Sequence, residues 1–233
     1  MTQEPPAEYQ RAYVAFLDII GFEDAVMRSV TDHVLAQRLH QTMCASADAA
    51  AVMPRFTAFS DSLILSGSVF VDILHSVHSI WRLYAKEGFF LRGGIAHGLV
   101  FHEENVAYGP GVIEAYRLEA RVARVPRVLI APSISIAAAD HLETFAEVLP
   151  SVIGIDSDGF SYLKTFNWFS TEQSPLPNLE DLEPIRDHIR AGLTEGENDP
   201  ALLSKFLWLA LRFNERLKLG GRTLGILTEV EEG

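Results

Sequence analysis

The sequence holds a single cysteine, Cys44, so no internal disulfide can form and a fold stapled for an oxidising compartment is excluded. Positive charge is scarce as well. Lys and Arg number 19 against 31 Asp and Glu, a formal net charge of −12. A surface this acidic repels phosphate backbones and anionic lipid, which argues against nucleic-acid polymers and against direct membrane contact. An anionic substrate would need metal ions or a local cluster of arginines to overcome that field. No apolar run approaches the ~18 residues that a membrane span requires. The first eleven residues are polar and contain proline, with no apolar stretch to serve as a signal peptide. Repeats and low-complexity tracts are missing too. What is present is a chain of 233 residues, 48% hydrophobic, with ample material for a core. Disordered and collagen-like classes are excluded. The expectation is a soluble, cytoplasmic globular protein.

The first element, Tyr13 to Ile20, is apolar on both parities, as a strand buried on both faces should be. One charged residue, Asp18, stands near its carboxyl end. A helical region is expected from Gly21 through Ala51. Arg55–Phe59 and Ser62–Ser66 read as strands joined by a tight turn at Ser60-Asp61. An amphipathic helix follows from Val69 to Lys86, with Phe70, Ile73, Leu74, Val77, Ile80, Trp81 and Tyr84 on one face. Phe89 to Val100 suggests a strand pair, with Gly93, Gly94 and Gly98 allowing close backbone approach or a bulge. After Gly109-Pro110-Gly111 come a helix to about Val125, a strand Arg127–Ala131 and a short helix Ile134–Leu142. Strands near Val148–Ile155 and Phe160–Phe166 flank the turn 156–159, and a Pro-containing connector, 174–177, leads to C-terminal helices. The order βαββαβ, then further αβ units, implies an α+β fold: a mixed sheet with helices on one face, built on a ferredoxin-like core with extra strands.

Two carboxylates stand where apolar packing alone would not put them. Asp18 ends an otherwise apolar strand, and Asp61 occupies the hairpin apex of FTAFSDSLIL. In a βαββ unit the first strand end and the following hairpin can lie side by side. Paired carboxylates there form a hard-oxygen site for Mg²⁺ or Mn²⁺. Taken singly, Asp18 also reads as a helix N-cap and Asp61 as a turn residue. Strand, then Gly21, then helix is also an arrangement that turns free backbone N–H groups toward an anion.

FLDIIGF, then FSDSL with the aspartates 43 positions apart, then LRGGIAHG, a glycine-led helix and VPRVLIAPS resemble the class III nucleotidyl cyclase catalytic domain, over about residues 13–166. The resemblance implies three parts: a tail (1–12), a cyclase domain (13–170) and a C-terminal helical extension packed on it (171–233). It implies two divalent metal ions, Mn²⁺ or Mg²⁺, held by Asp18, Asp61 and the backbone carbonyl of Ile19. Arg92 matches the arginine that the family places on the phosphates, and Gly21 and Phe22 would offer backbone N–H donors. A transition-state arginine would come from the partner subunit's glycine-led helix, where Arg117 and Arg121 are the candidates. Metal ligands and that helix would lie at opposite ends of one subunit's sheet, so a head-to-tail homodimer would complete two shared sites. Glu114, Arg117, Arg121 and Arg124 share a helical face by spacing, which also fits a solvated stripe of Glu–Arg pairs.

The chain departs from the family in two places. Ile113 stands where the family has an asparagine four residues before its arginine. Thr57 and Val106 stand at the positions of the purine readers, with Arg55 and Phe56 nearby; Phe56 could wall in a smaller base, and it equally fits a core residue. A short cyclase without purine readers is similar to the pyrimidine cyclases of bacterial Pycsar anti-phage systems. That implies a uridylate cyclase making 3′,5′-cyclic UMP from UTP, or cyclic CMP from CTP, as an alarm signal read by a separate effector protein. A catalytically inactive cyclase-like nucleotide-binding module is the alternative from another class. His75 and His78 share a helical turn without a third ligand and are expected at a surface or interface. His97, His102, Glu103 and Glu104 are expected in a solvated hairpin. Ser60 and Ser62 lack the His/Asp neighbours that nucleophilic catalysis needs.

Overall fold

β1 (Gln10–Ile19) is the strand on which the sheet is assembled, and both of its faces are covered. In the computed structural model, which describes residues 8–50, 55–134, 149–167 and 179–219, β1 lies between two antiparallel partners, β3 (Ser62–Gly67) and β4 (Leu91–Glu103). β3 pairs in turn with β2 (Arg55–Phe59). The crossovers run through α1 (Phe22–Ser29), α2 (His33–Ala50) and α3 (Phe70–Lys86). The result is a ferredoxin-like βαββαβ unit with strand order β2-β3-β1-β4. β6 (Val128–Ile130) joins β4 in parallel, and β8 (Ser161–Leu163) and β7 (Ile153–Ile155) extend that edge. β5 (Val106–Tyr108) folds back on the end of β4. The fold is α+β, an eight-stranded sheet among the described residues.

The alternation along β1 explains its apolar run. Tyr13, Ala15, Leu17 and Ile19 join the larger core with Ile73, Leu74, Val77, Ile80 and Trp81 of α3. Val14 joins a second core against α4 (Pro110–Arg121), with Ala96, Ala115 and Leu118. Helices therefore cover both faces, where one face was expected. The glycines of β4 are what let α4 sit down. A Cβ on Gly94 would come within 2.5 Å of the Ala115 carbonyl oxygen, and one on Gly98 within 3.1 Å of Gly111 Cα.

Other elements also depart from the sequence reading. The helical region after Gly21 is two helices, because Asp32 caps α2 by accepting from the amides of Val34 and Leu35 at 3.1 and 3.0 Å. Residues 91–103 form one long strand instead of a pair, and the hairpin partner is β5. α4 stops at Arg121, where Leu118's carbonyl takes the amides of Val122 and Ala123, so Arg124 lies beyond it. Leu149–Val152 is a helical turn, α5, that precedes β7. The connector 174–177 and most of the helix expected at 134–142 lie outside the described residues.

The C-terminal helices α6 (Leu179–Glu195) and α7 (Pro200–Leu219) share the larger core through Leu182, Ile185, Ile189, Leu209, Ala210, Phe213 and Leu217. A buried carboxylate ties α7 to the far sheet edge. Asp156 accepts from Arg127 at 2.7 Å, Trp208 at 2.9 Å and Arg212 at 2.7 Å. Burial alone would raise its pKa, but the Ser157 amide, Trp208 and the arginines hold it below the usual carboxylate range. Arg127 also binds Asp158. Among the described residues no helix is long and apolar enough to cross a membrane.

Candidate active site

Strand register brings the sequence's distant motifs into one row. Phe59 of β2, Ser62 of β3, Asp18 of β1 and Arg92 of β4 lie side by side across four strands. Asp61 is in the turn at the end of that row, where its backbone carbonyl accepts from the Ile19 amide at 3.0 Å. Ser60 makes the turn with a positive φ of 55°. Asp18 and Asp61 repel each other, and Asp61 is also a hydrogen-bond neighbour of Asp18. Asp18 does not cap a helix: the N-cap of α1 is Gly21, at φ 72°, a left-handed conformation that suits glycine. Among the described residues, no hydrogen bond occupies the amides of Gly21 or Phe22. Phe22 itself leans on the larger core.

Asp18 and Arg92 point to the α4 face, and there α4 supplies a residue that sequence reasoning missed. Glu119 is 5% exposed, and its Oε1 lies 2.8 Å from Arg92 Nε. Arg92 Nε also lies 2.9 Å from Asp18 Oδ2, to which it donates a hydrogen bond. Two carboxylates thus face one guanidinium, with Asp61 close to both of them. Burial raises the pKa of Asp18 above the usual carboxylate range; Arg92 opposes this and Asp61 adds to it. Burial likewise raises Glu119, with Arg92 opposing and Asp18 and Asp61 adding. The sequence signal was available, since Glu119 falls on the inner stripe of α4 with Ala115 and Leu118. That stripe marks an inward face but not what the face meets, which depends on α4 lying across β4 at Gly94.

The excess negative charge fits a hard divalent cation. Asp18 and Asp61 supply oxygen donors of the right kind, and the carbonyl of Ile19 lies between them in sequence. Among the described residues no group of three His, Cys, Asp or Glu forms a metal cage. A cation held by two carboxylates would keep positions open for substrate oxygens, as catalytic sites require.

Arg117 and Arg121 project from the exposed side of α4, and neither has an ion-pair or hydrogen-bond partner among the described residues. Two residues along a helix is a rotation of about 200°. Arg117 therefore faces away from the sheet while Glu119 faces into it. The metal-ligand candidates and this helix are thus not at opposite ends of the sheet, as the resemblance implied; they meet on one face. Ile113 and Tyr116, both 49% exposed, flank Arg117 on the outward side.

The candidate base readers divide between the two faces. Phe56 turns to the larger core and packs there. Thr57, on the α4 face, is nearly buried and hydrogen-bonded: its hydroxyl donates to the Glu104 carbonyl at 2.8 Å and lies 2.9 Å from His102 Nε2. With Thr57's one proton committed, His102 Nε2–H must donate to Thr57, and Nδ1 accepts from Ser66 at 2.8 Å. Burial and Arg55 lower the His102 pKa, which favours this neutral ring. Arg55 is exposed and donates one N–H to the His102 carbonyl. Val106, in β5, is 54% exposed.

The remaining histidines differ from expectation. His102 is buried in that network instead of lying in a solvated hairpin. His97 sits on the other parity of β4, against the Tyr13 ring at 4.6 Å. His78 is buried in α3, and burial with Arg82 nearby lowers its pKa to about 4; His75 is exposed.

No protein-family model and no curated protein matches this chain. Solved structures do resemble it. The adenylyl cyclase CyaB from P. aeruginosa is 18% identical, with 72% of this chain and 100% of that one covered and a TM-score of 0.47. The monomeric guanylyl cyclase domain of the RhoGC fusion protein from the aquatic fungus Blastocladiella emersonii is 17% identical, with 66% and 94% covered and a TM-score of 0.49. The guanylyl cyclase Cya2 is 12% identical, with 67% and 92% covered and a TM-score of 0.45. These are partial likenesses of shape.

Proposed function

We propose that this chain is a nucleotidyl cyclase that converts a nucleoside triphosphate, UTP before CTP, to its 3′,5′-cyclic monophosphate and pyrophosphate. The observation that carries the reading is the carboxylate-rich strand end, where Asp18 and Asp61 meet beside Arg92 on the α4 face. Asp18, Asp61 and the Ile19 carbonyl would hold divalent cations, Mn²⁺ or Mg²⁺. Bound there, the cations supply Lewis-acid charge, making the ribose 3′-OH more acidic and offsetting charge on the departing pyrophosphate. Arg92 binds the phosphates once it lets go of Asp18, and the free amides of Gly21 and Phe22 take phosphate oxygens at the start of α1. In the step itself the 3′ oxygen gives its proton to solvent water and bonds to the α-phosphorus, while the bond from that phosphorus to the bridging oxygen breaks and pyrophosphate leaves.

A homodimer completes the site in this reading. Arg117, outward and free of partners among the described residues, sits between exposed Ile113 and Tyr116. That combination suits a subunit contact in which the guanidinium reaches the partner's substrate. Residues 13–170 form the catalytic domain, with the C-terminal helices packed on its core. Ile113 in place of a polar neighbour is what favours the second reading, a module that binds nucleotide without turnover.

The choice of base rests on Arg55 and Thr57. Thr57 has no proton to offer, whereas Arg55 keeps donors beyond its one bond to His102. A donor pairs with the uracil O4 and not with the cytosine N4 amino group, worth about 1–3 kcal/mol when the wrong base leaves it unpaired. Cyclic UMP would then serve as an alarm signal in anti-phage defence, read by a separate effector. In a competition of all four triphosphates at equal concentration with Mn²⁺, cyclic UMP is expected as the main product and cyclic CMP second. Cyclic AMP or cyclic GMP as the main product would overturn the pyrimidine assignment.

A further inference from the structure

The contact between Arg92 and two carboxylates poses a problem of exchange. Its Nε lies 2.9 Å from Asp18 Oδ2 and 2.8 Å from Glu119 Oε1, so the two acceptors are nearly equidistant. Only the Asp18 oxygen is aligned to accept the Nε proton, and Glu119 Oε1 is left buried without a hydrogen bond. A buried carboxylate oxygen without a donor costs free energy, and native structures seldom keep one without a reason. Asp18 has the opposite difficulty. The oxygen that Arg92 occupies is one that a cation needs, and a cation beside a guanidinium is repelled.

We propose that Glu119 is a positioning residue for Arg92: when a divalent cation takes Asp18, the Arg92 Nε–H bond passes to the waiting Glu119 Oε1. This rests on the cation-binding reading above. The transfer needs a tilt of the guanidinium and no change of strand or helix, because both acceptors already stand at bonding distance. It keeps the charge balanced, since Arg92 leaves one carboxylate for another and the cation inherits Asp18. It also keeps the guanidinium fixed at its Nε edge, so its terminal N–H groups remain free for substrate phosphates. Glu119 can do this because Ala115 and Leu118 of the same helix seat against Gly94, two residues from Arg92. A loose loop acceptor would not hold the guanidinium to one orientation.

The test follows the Arg92 Nε–Hε signal by NMR in ¹⁵N-labelled protein, assigned with Arg92→Lys, during addition of Mg²⁺ without nucleotide. In the wild type the signal should shift yet persist, because the proton stays hydrogen-bonded. In Glu119→Leu, which fills the same space with no acceptor, Mg²⁺ should release the proton to solvent exchange and the signal should vanish. Steady-state turnover of Glu119→Leu with saturating Mn²⁺ should show KM for the triphosphate raised about tenfold, with kcat within about threefold, as for a group acting through phosphate binding. Loss of the wild-type signal on adding Mg²⁺ would overturn the handover. So would an unmoved signal while calorimetry shows Mg²⁺ binding that Asp18→Asn removes. Calorimetry that finds no Asp18-dependent Mg²⁺ binding would sink the cation reading itself, and the handover with it. If Glu119→Leu does not fold, the wild-type titration decides alone.

Discussion

Asp18→Ala and Asp61→Ala should each lower kcat by about a thousandfold or more, roughly 4 kcal/mol of transition-state stabilisation, while the protein still folds. The two expectations come from the same geometry. Each substitution removes an oxygen donor that nothing else among the described residues replaces. Neither removes apolar packing, since Asp18 is the one polar residue at its end of β1 and Asp61 lies in a turn. Removing Asp18 also relieves a burial cost visible in its raised pKa, and Arg92 keeps Glu119 as a partner. The melting temperature should therefore hold or rise. Steady-state assays with Mn²⁺ and thermal melts of the same samples check both halves. Substantial turnover in both variants would remove these carboxylates from the mechanism, and collapse of the fold would show that they are structural.

The second large effect concerns assembly. Asp61→Ala and Arg117→Ala subunits should each be inactive alone, yet a mixture of the two should recover activity. If subunits exchange at random, half the dimers are mixed, and each mixed dimer holds one intact site and one doubly defective site. Recovery should therefore reach about a quarter of the wild-type rate. The outward position of Arg117 beside Ile113 and Tyr116 motivates the claim, because on its own subunit it points away from the carboxylates. No recovery after verified subunit exchange would refute the shared site. So would a wild-type protein that is fully active as a monomer.

How much of this was legible in the sequence depended on the range of the signal. The strand–turn–strand at 55–67 and the amphipathic stripe of α3 could be read because alternation and helical spacing are local patterns. Asp18 and Asp61 stood out for the same reason, each a lone charge set in apolar surroundings. Side-chain facing was harder. Phe56 and Thr57 are neighbours on one strand, and only the register against Leu65 and Ile64 decides which one enters the core. The β4 glycines announced a close approach, but not that a helix would cover the second face there. Glu119 was missed because its meaning depends on α4 lying across β4 at Gly94, a long-range contact that no window of sequence contains. His102 was misread for a related cause: its partners Thr57 and Ser66 lie more than thirty residues away.

The central claim is that the carboxylate-lined strand end carries out an intramolecular displacement on a nucleoside triphosphate. Phosphorus-31 NMR of the wild-type protein with UTP and Mg²⁺ or a trace of Mn²⁺ follows every phosphorus in that reaction at once. Equal amounts of inorganic pyrophosphate and of a single cyclic monophosphate are expected, both missing from an Asp18→Asn, Asp61→Asn double variant. Release of inorganic phosphate with a diphosphate, or unchanged triphosphate with each of UTP, CTP, ATP and GTP under the same conditions, would contradict that claim.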